Sequence, residues 1–61
     1  MNAETMLAFK RQLEDRRIRF VEYDSEVMVM GDLSAILESY GIADELNLTA
    51  VKSDNEAVHF R

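Results

Sequence analysis

The stretch from Ser25 to Gly41, SEVMVMGDLSAILESYG, constrains the fold more than any other part of the chain. Its four consecutive apolar residues, Val27 to Met30, do not alternate with polar ones, which is typical of a central strand covered on both faces. Gly31 and Asp32 follow, and apolar residues then recur at three and four positions, which predicts a helix. A strand therefore leads into a helix through a single glycine.

The junction between this strand and this helix raises the question of a phosphate site. Such sites use several glycines, so that backbone N–H groups can approach the anion. Here one glycine is present, and Asp32 would place a carboxylate where the anion would bind. We therefore interpret Asp32 as the N-cap of the helix. Gly41 is predicted to end the helix at positive φ, with Ile42 packing on Leu37.

Two helices are predicted, each with one buried stripe. The segment 2–17, NAETMLAFKRQLEDRR, has Asn2 as a candidate N-cap, and its apolar face carries Met6, Phe9 and Leu13, with Leu7 beside them. In the second helix the predicted buried stripe consists of Leu33, Ile36, Leu37 and Tyr40.

The segment 18–31, IRFVEYDSEVMVMG, predicts a first β-hairpin. Polar residues at 24–26 form its turn. Alternation separates the first arm into two faces, one with Ile18, Phe20 and Glu22 and the other with Arg19, Val21 and Tyr23.

The segment 43–61, ADELNLTAVKSDNEAVHFR, predicts a second hairpin. Leucines alternate with polar residues from Leu46, Ser53 to Asn55 form the turn, and Ala57 to Arg61 return with Val58 and Phe60 on one face and Ala57 and His59 on the other. An alternative interpretation makes Asp44 an N-cap and 45–50 helical, but Thr49, Val51 and the alternation favour a strand.

The order α-β-β-α-β-β is a weak twofold repeat of helix plus hairpin. It predicts an α+β fold in which two helices cover one face of a four-stranded, mainly antiparallel sheet. No linker composition divides residues 1–61, so a single small domain is expected.

The size of the chain indicates a need for a partner. Sixty-one residues bury a marginal core, and small domains usually add disulfides, a metal or another subunit. Cysteine is absent and His59 is the only histidine. Without a signal-peptide pattern, and with four residues as the longest apolar run, we expect a cytoplasmic protein and no membrane partner.

The chain offers little for catalysis. No nucleophile motif or phosphate loop is present, and the acidic residues of the hairpins lack the spacing of a calcium loop. His59 is interpreted as a packing residue. We therefore expect no enzyme activity, no catalytic site, no cofactor and no metal.

The surface most suited to a partner is the second strand. Methionine adapts its shape and is common at contact surfaces, and an apolar sheet face is rarely left bare in a monomer. The predicted partner-binding residues are Val27, Met28, Val29, Met30, Tyr23 and Val21. The leading hypothesis is a small acidic adaptor, inhibitor or regulator that forms a homodimer or binds another protein, and the net charge of −5 is consistent with a basic partner.

The alternative hypothesis is a nucleic-acid-associated regulator. Residues 1–19 carry five basic and three acidic side chains, whereas residues 20–61 carry two basic and nine acidic ones. The candidate phosphate contacts are Arg11, Arg16, Arg17 and Arg19. An overall acidic charge is the opposite of what nucleic-acid binders usually show, so this class is placed second.

Overall fold

The computed structural model describes residues 3–23, 25–53 and 57–61, and the predicted order of elements is confirmed. The elements are α1 (Ala3–Asp15), β1 (Arg19–Tyr23), β2 (Glu26–Met30), α2 (Leu33–Glu45), β3 (Ala50–Ser53) and β4 (Ala57–Phe60). The candidate cap Asn2 and the turn residues Asp24, Asp54 and Asn55 lie outside the described residues.

The sheet has the order β1-β2-β4-β3, and every neighbouring pair is antiparallel. β2 and β4 are therefore its central strands. Both helices pack on the same face, where alternate residues of the central strands meet them. The buried core comprises Phe9, Leu13, Ile18, Val27, Val29, Ile36, Ile42, Ala43, Val58 and Phe60. The rings of Phe9 and Tyr40 both contact Phe60 edge to face, at 5.1 and 5.4 Å between centroids.

The expectation that β2 is covered on both faces is wrong. Val27 and Val29 are buried in the core, whereas Met28 and Met30 on the opposite face are only half-buried. The reason is that both helices lie on one side of the sheet. The apolar run of β2 therefore has one face in the core and the other on a sheet face without helices.

The predicted end of the second helix at Gly41 is also wrong. Helix α2 continues through Gly41 to Glu45, and the residue of positive φ that follows it is Asn47, at 60°. Its N–H donates to Asp44 O, and the next N–H, that of Leu48, donates to Ala43 O at 2.8 Å. These are the two bonds of a Schellman ending, and asparagine is tolerated at its left-handed position. The predicted packing of Ile42 on Leu37 beyond the helix end therefore does not occur.

The buried face of α2 differs from the predicted stripe. Leu33 and Leu37 are 72% and 60% exposed, whereas Ile36, Ser39, Ile42 and Ala43 are buried. Tyr40 lies at the boundary, with its ring against Phe60 but more than a third of its surface exposed. The helix has apolar residues on two sides, so periodicity alone could not select the core side. Ser39 is accepted in the core because its hydroxyl donates to Ile36 O.

The second hairpin begins later than the alternation indicates. Residues 46–49 form the turn after α2 and an irregular segment, so neither the strand nor the alternative helix covers them. Leu46 and Leu48 pack against the core without belonging to a strand. The return arm is confirmed, with Val58 and Phe60 buried and Ala57 and His59 on the other face.

The twofold repeat is visible in the backbone as two halves whose helices lie thirty positions apart, 3–15 and 33–45. The endings of the two helices match atom for atom. Arg17 has φ 59°, as Asn47 has 60°, and Ile18 N–H donates to Leu13 O at 2.9 Å. An irregularity in β3 between Ala50 and Lys52 interrupts the register in the second half. Corresponding positions of the two helices can therefore serve as matched sites in experiments.

Candidate functional site

The candidate site is the face of the sheet that no helix covers, which we call the open face. Alternation along each strand places on it Arg19, Val21 and Tyr23 from β1, Glu26, Met28 and Met30 from β2, and Ala57 and His59 from β4, with Arg61 directly after β4. It is therefore built by both hairpins, whose central strands pair with each other.

The centre of the open face is apolar. Antiparallel register sets Met28 between Val21 and His59, and sets Met30 between Arg19 and Ala57. Cross-strand neighbours of this kind lie about 4.5–5.5 Å apart between Cβ atoms and pack side by side. Val21 and Tyr23, on the edge strand, are 43% and 63% exposed. The surface thus combines flexible thioethers with an exposed valine and an exposed aromatic ring.

A polar cluster of Glu26, His59 and Arg61 lies at one end of the open face. Glu26 Oε1 is 3.1 Å from His59 Nδ1, and Glu26 Oε2 accepts from Arg61 Nη2 at 2.8 Å. A carboxylate only accepts hydrogen bonds, so in this pair His59 Nδ1 carries the proton. The cluster therefore orients the imidazole and leaves Nε2 as its second polar atom.

Sequence reasoning placed His59 correctly on the less buried face but missed its partner. Glu26 and His59 are thirty-three positions apart, and they meet only because β2 pairs with β4. Most of the side chain of each is buried. The carboxylate–imidazole contact joins the two central strands across the open face.

Four of the six predicted partner-binding residues lie on the open face. Val27 and Val29 are fully buried against the helices, so they leave the candidate surface. Val21, Tyr23, Met28 and Met30 remain on the open face. A four-residue run of one strand thus divides equally between core and surface.

The candidate arginines are not brought together on one surface. Arg11 is exposed on α1, and Arg16 follows the helix, with Nη1 3.7 Å from Glu38 Oε1 of α2. Arg17 is the left-handed residue of the helix ending, and Arg19 belongs to the open face. Arg16 is therefore partly neutralised, and Arg19 points to a different surface from the helices.

A wide, open depression of about 610 Å³ lies where the start of α1 meets the segment after α2. Its polar lining residues are Thr5, Asn47, Thr49 and Arg61, and its apolar ones are Leu46, Leu48 and Val51. Hydroxyl and amide groups can hydrogen-bond a ligand but do not supply a general base.

Comparison of the chain with protein-family models, with curated proteins and with solved structures finds no match in any of the three. Within residues 3–23, 25–53 and 57–61, no helix is long and apolar enough to cross a membrane. The same residues contain no group of three His, Asp or Glu side chains that could hold a metal ion.

Proposed function

We propose that this chain is a small, acidic, non-enzymatic cytoplasmic protein that acts as an interaction module through its open face. The observation that carries the proposal is the uncovered apolar centre formed by Val21, Met28 and Met30, with the exposed Tyr23 beside it. Apolar patches of this kind mark interaction surfaces in soluble proteins. Aromatic residues and methionine are also enriched in the centres of interfaces.

The dimensions of the molecule are sufficient for a specific contact. The two largest extents are 27 and 22 Å, so one flat face covers at most about 600 Å² and two such faces packed together would bury at most about 1,200 Å², the lower end of specific interfaces. A second copy of the chain is the partner that the surface itself supports.

Charge also favours pairing of two copies. The open face carries both signs, with Glu26 and Arg61 at corresponding places on the two central strands. A twofold axis parallel to these strands would set Glu26 of one copy opposite Arg61 of the other, and Met28 opposite His59. A twofold interface requires such self-complementarity.

The proposal is tested by sedimentation of the wild-type chain and of Met30→Glu from ~1 to ~500 μM, a range in which weak symmetric dimers dissociate. We expect the wild type to shift from monomer to dimer and Met30→Glu to remain monomeric, because a carboxylate would be buried without a partner.

Leu7→Glu is the matched control. Leu7 is an exposed apolar residue of α1, on the side of the sheet opposite the open face. Its substitution should leave the dimer unchanged. A dimer that survives Met30→Glu, or one that Leu7→Glu abolishes, would show that another surface associates.

The second candidate function is nucleic-acid association. The observation that favours it is the succession of Arg16 and Arg17 at the end of α1, both of them exposed. Fluorescence anisotropy with labelled DNA and RNA at ~50 and ~200 mM salt would test it, because phosphate contacts give a steep salt dependence. Salt-sensitive binding that Arg16→Gln and Arg17→Gln weaken would support this function instead.

A further inference from the structure

Helix α2 presents a second uncovered apolar surface, separate from the open face. Leu33, Leu37 and Tyr40 recur at i, i+4 and i+7, so they lie on one side of the helix. Leu33 and Leu37 are 72% and 60% exposed, and Tyr40 is 38% exposed because its ring also packs on Phe60. We call these three residues the α2 stripe.

Gly41 lies beside the α2 stripe, one turn after Leu37. A glycine inside a helix costs stability, and it usually has a packing or functional reason. No intramolecular reason is visible, because a Cβ built on Gly41 meets nothing within 4 Å and its φ is ordinary for a helix. Gly41 therefore leaves a notch in the helix surface through which another backbone can approach closely.

The first half of the molecule does not have this surface. The positions of α1 that correspond to the α2 stripe are Ala3, Leu7 and Lys10. Lys10, at the place of Tyr40, is charged and forms an ion pair with Glu22 of β1. The apolar stripe is thus a feature of α2 alone rather than a consequence of the repeated fold.

The charges around the α2 stripe define the chemistry of its partner. Asp44 continues the stripe one turn beyond Tyr40, and Glu38 and Glu45 lie further round the helix, both on the side where Gly41 is. From residue 20 to residue 51 the sequence contains no lysine, arginine or histidine. Among described side chains, Arg16 is the cation that reaches this helix, through Glu38. A partner that matches this surface is apolar along one side and basic on the side that would face Glu38 and Glu45.

We infer that the α2 stripe, with the notch at Gly41, binds a basic amphipathic helix of another protein. Leucine-like side chains of that helix would cover Leu33, Leu37 and Tyr40, and lysine or arginine side chains would meet Glu38, Asp44 and Glu45. In this mode of recognition an amphipathic helix binds through its apolar face, with anchor residues at i, i+4 and i+7. It goes beyond the proposed function, because it uses the opposite side of the molecule from the open face.

The inference is tested with a synthetic helical peptide that has leucines at i, i+4 and i+7 and lysines beside them. Its binding to the full chain is followed by fluorescence anisotropy. We expect saturable binding that Leu37→Gln weakens at least about tenfold, as for an anchor at the centre of an interface. Leu7→Gln, the corresponding change in α1, should leave the affinity within about twofold.

Three further controls distinguish binding at the stripe from non-specific attraction by charge. A peptide of the same composition with its leucines scattered around the helix should bind much more weakly, as should one with glutamates in place of the lysines. Gly41→Gln should fill the notch and weaken binding while the protein remains folded by circular dichroism, because glutamine favours the helix more than glycine does.

Three results would overturn the inference. The first is no saturable binding up to ~1 mM peptide, the concentration of a very weak site. The second is equal binding of the regular and scattered peptides, or equal loss from Leu37→Gln and Leu7→Gln. The third is a change in the oligomeric state of the protein alone on Leu37→Gln, which would mean that a second copy covers the stripe. Met30→Glu should not change peptide affinity, so failure of either proposal is distinguishable.

Discussion

Replacing Gly41 by alanine should stabilise the protein. Gly41 is the ninth residue of the thirteen-residue helix α2, well inside both ends. Alanine favours a helix interior over glycine by about 0.8–1.0 kcal/mol, largely because it restricts the unfolded chain. The new Cβ meets no atom within 4 Å, so neither a clash nor new packing alters this figure.

The expected gain of about 1 kcal/mol is large for a small domain. It corresponds to a rise in Tm of about 4–8 °C, and to a shift of the urea midpoint by roughly 0.5–1 M if the m-value is ~1–2 kcal/mol/M. Both can be measured by circular dichroism at 222 nm. The m-value should stay constant, because the substitution changes stability without changing the folded surface that unfolding exposes.

Gly31→Ala is the matched control with the opposite sign. Gly31 has φ 140°, and a Cβ there would lie 3.2 Å from the Cβ of Ala35. Strain of this kind costs about 1–3 kcal/mol. A destabilising Gly41→Ala would refute the reasoning, because it would mean that Gly41 needs a conformation that only glycine adopts and that α2 ends there.

Substitutions at three further positions test the helices and the core. Asp32 Oδ1 accepts from Ala35 N–H at 2.9 Å, so Asp32→Ala should cost about 0.5–2 kcal/mol in urea unfolding and Asp32→Asn less, since asparagine retains the cap oxygen; equal costs would argue against the cap. Ser39→Ala removes a buried hydroxyl bonded to its own helix, and because alanine gains helix propensity we expect a change within about 0.5 kcal/mol. Phe60→Ala removes both edge-to-face contacts and should cost about 3–5 kcal/mol, seen as loss of cooperative thermal unfolding; a small change would mean that Phe60 is not central to the core.

Much of the fold could be predicted from local pattern. The apolar spacing of α1, the alternation of β1 and the polar residue before α2 are patterns within a few neighbouring residues. The helix, the strand and the cap that they predict are all present. The order of elements then left few ways to cover a sheet. The cap at Asp32 could be predicted because it depends only on a backbone N–H three residues further along the chain.

The end of α2 could not be read in the same way. Gly41 resembles a stop signal, but a glycine is also tolerated inside a helix that tertiary packing stabilises. The left-handed residue is Asn47, and its match in the first half is Arg17, a residue type that rarely adopts this conformation. In the sequence, the only sign that the two helices end alike is the spacing of thirty residues between Arg17 and Asn47.

The candidate surfaces depended on information that a local pattern does not contain. Ile36 and Leu37 are adjacent and equally apolar, yet one faces the core and the other solvent. Which side is buried was decided by the packing of α2 across β2 and β4. The meeting of Glu26 with His59 likewise followed from the pairing of those two strands.

The most direct test of the central claim, that the open face binds a second copy, is NMR of methionine methyl groups during dilution. Met28 and Met30 lie on the open face, whereas Met6 packs against the core on the helix side and serves as an internal reference. Between ~500 and ~1 μM, across which a weak dimer dissociates, the methyl signals of Met28 and Met30 should shift while that of Met6 stays fixed. Unchanged signals of Met28 and Met30 over the whole range would contradict the claim.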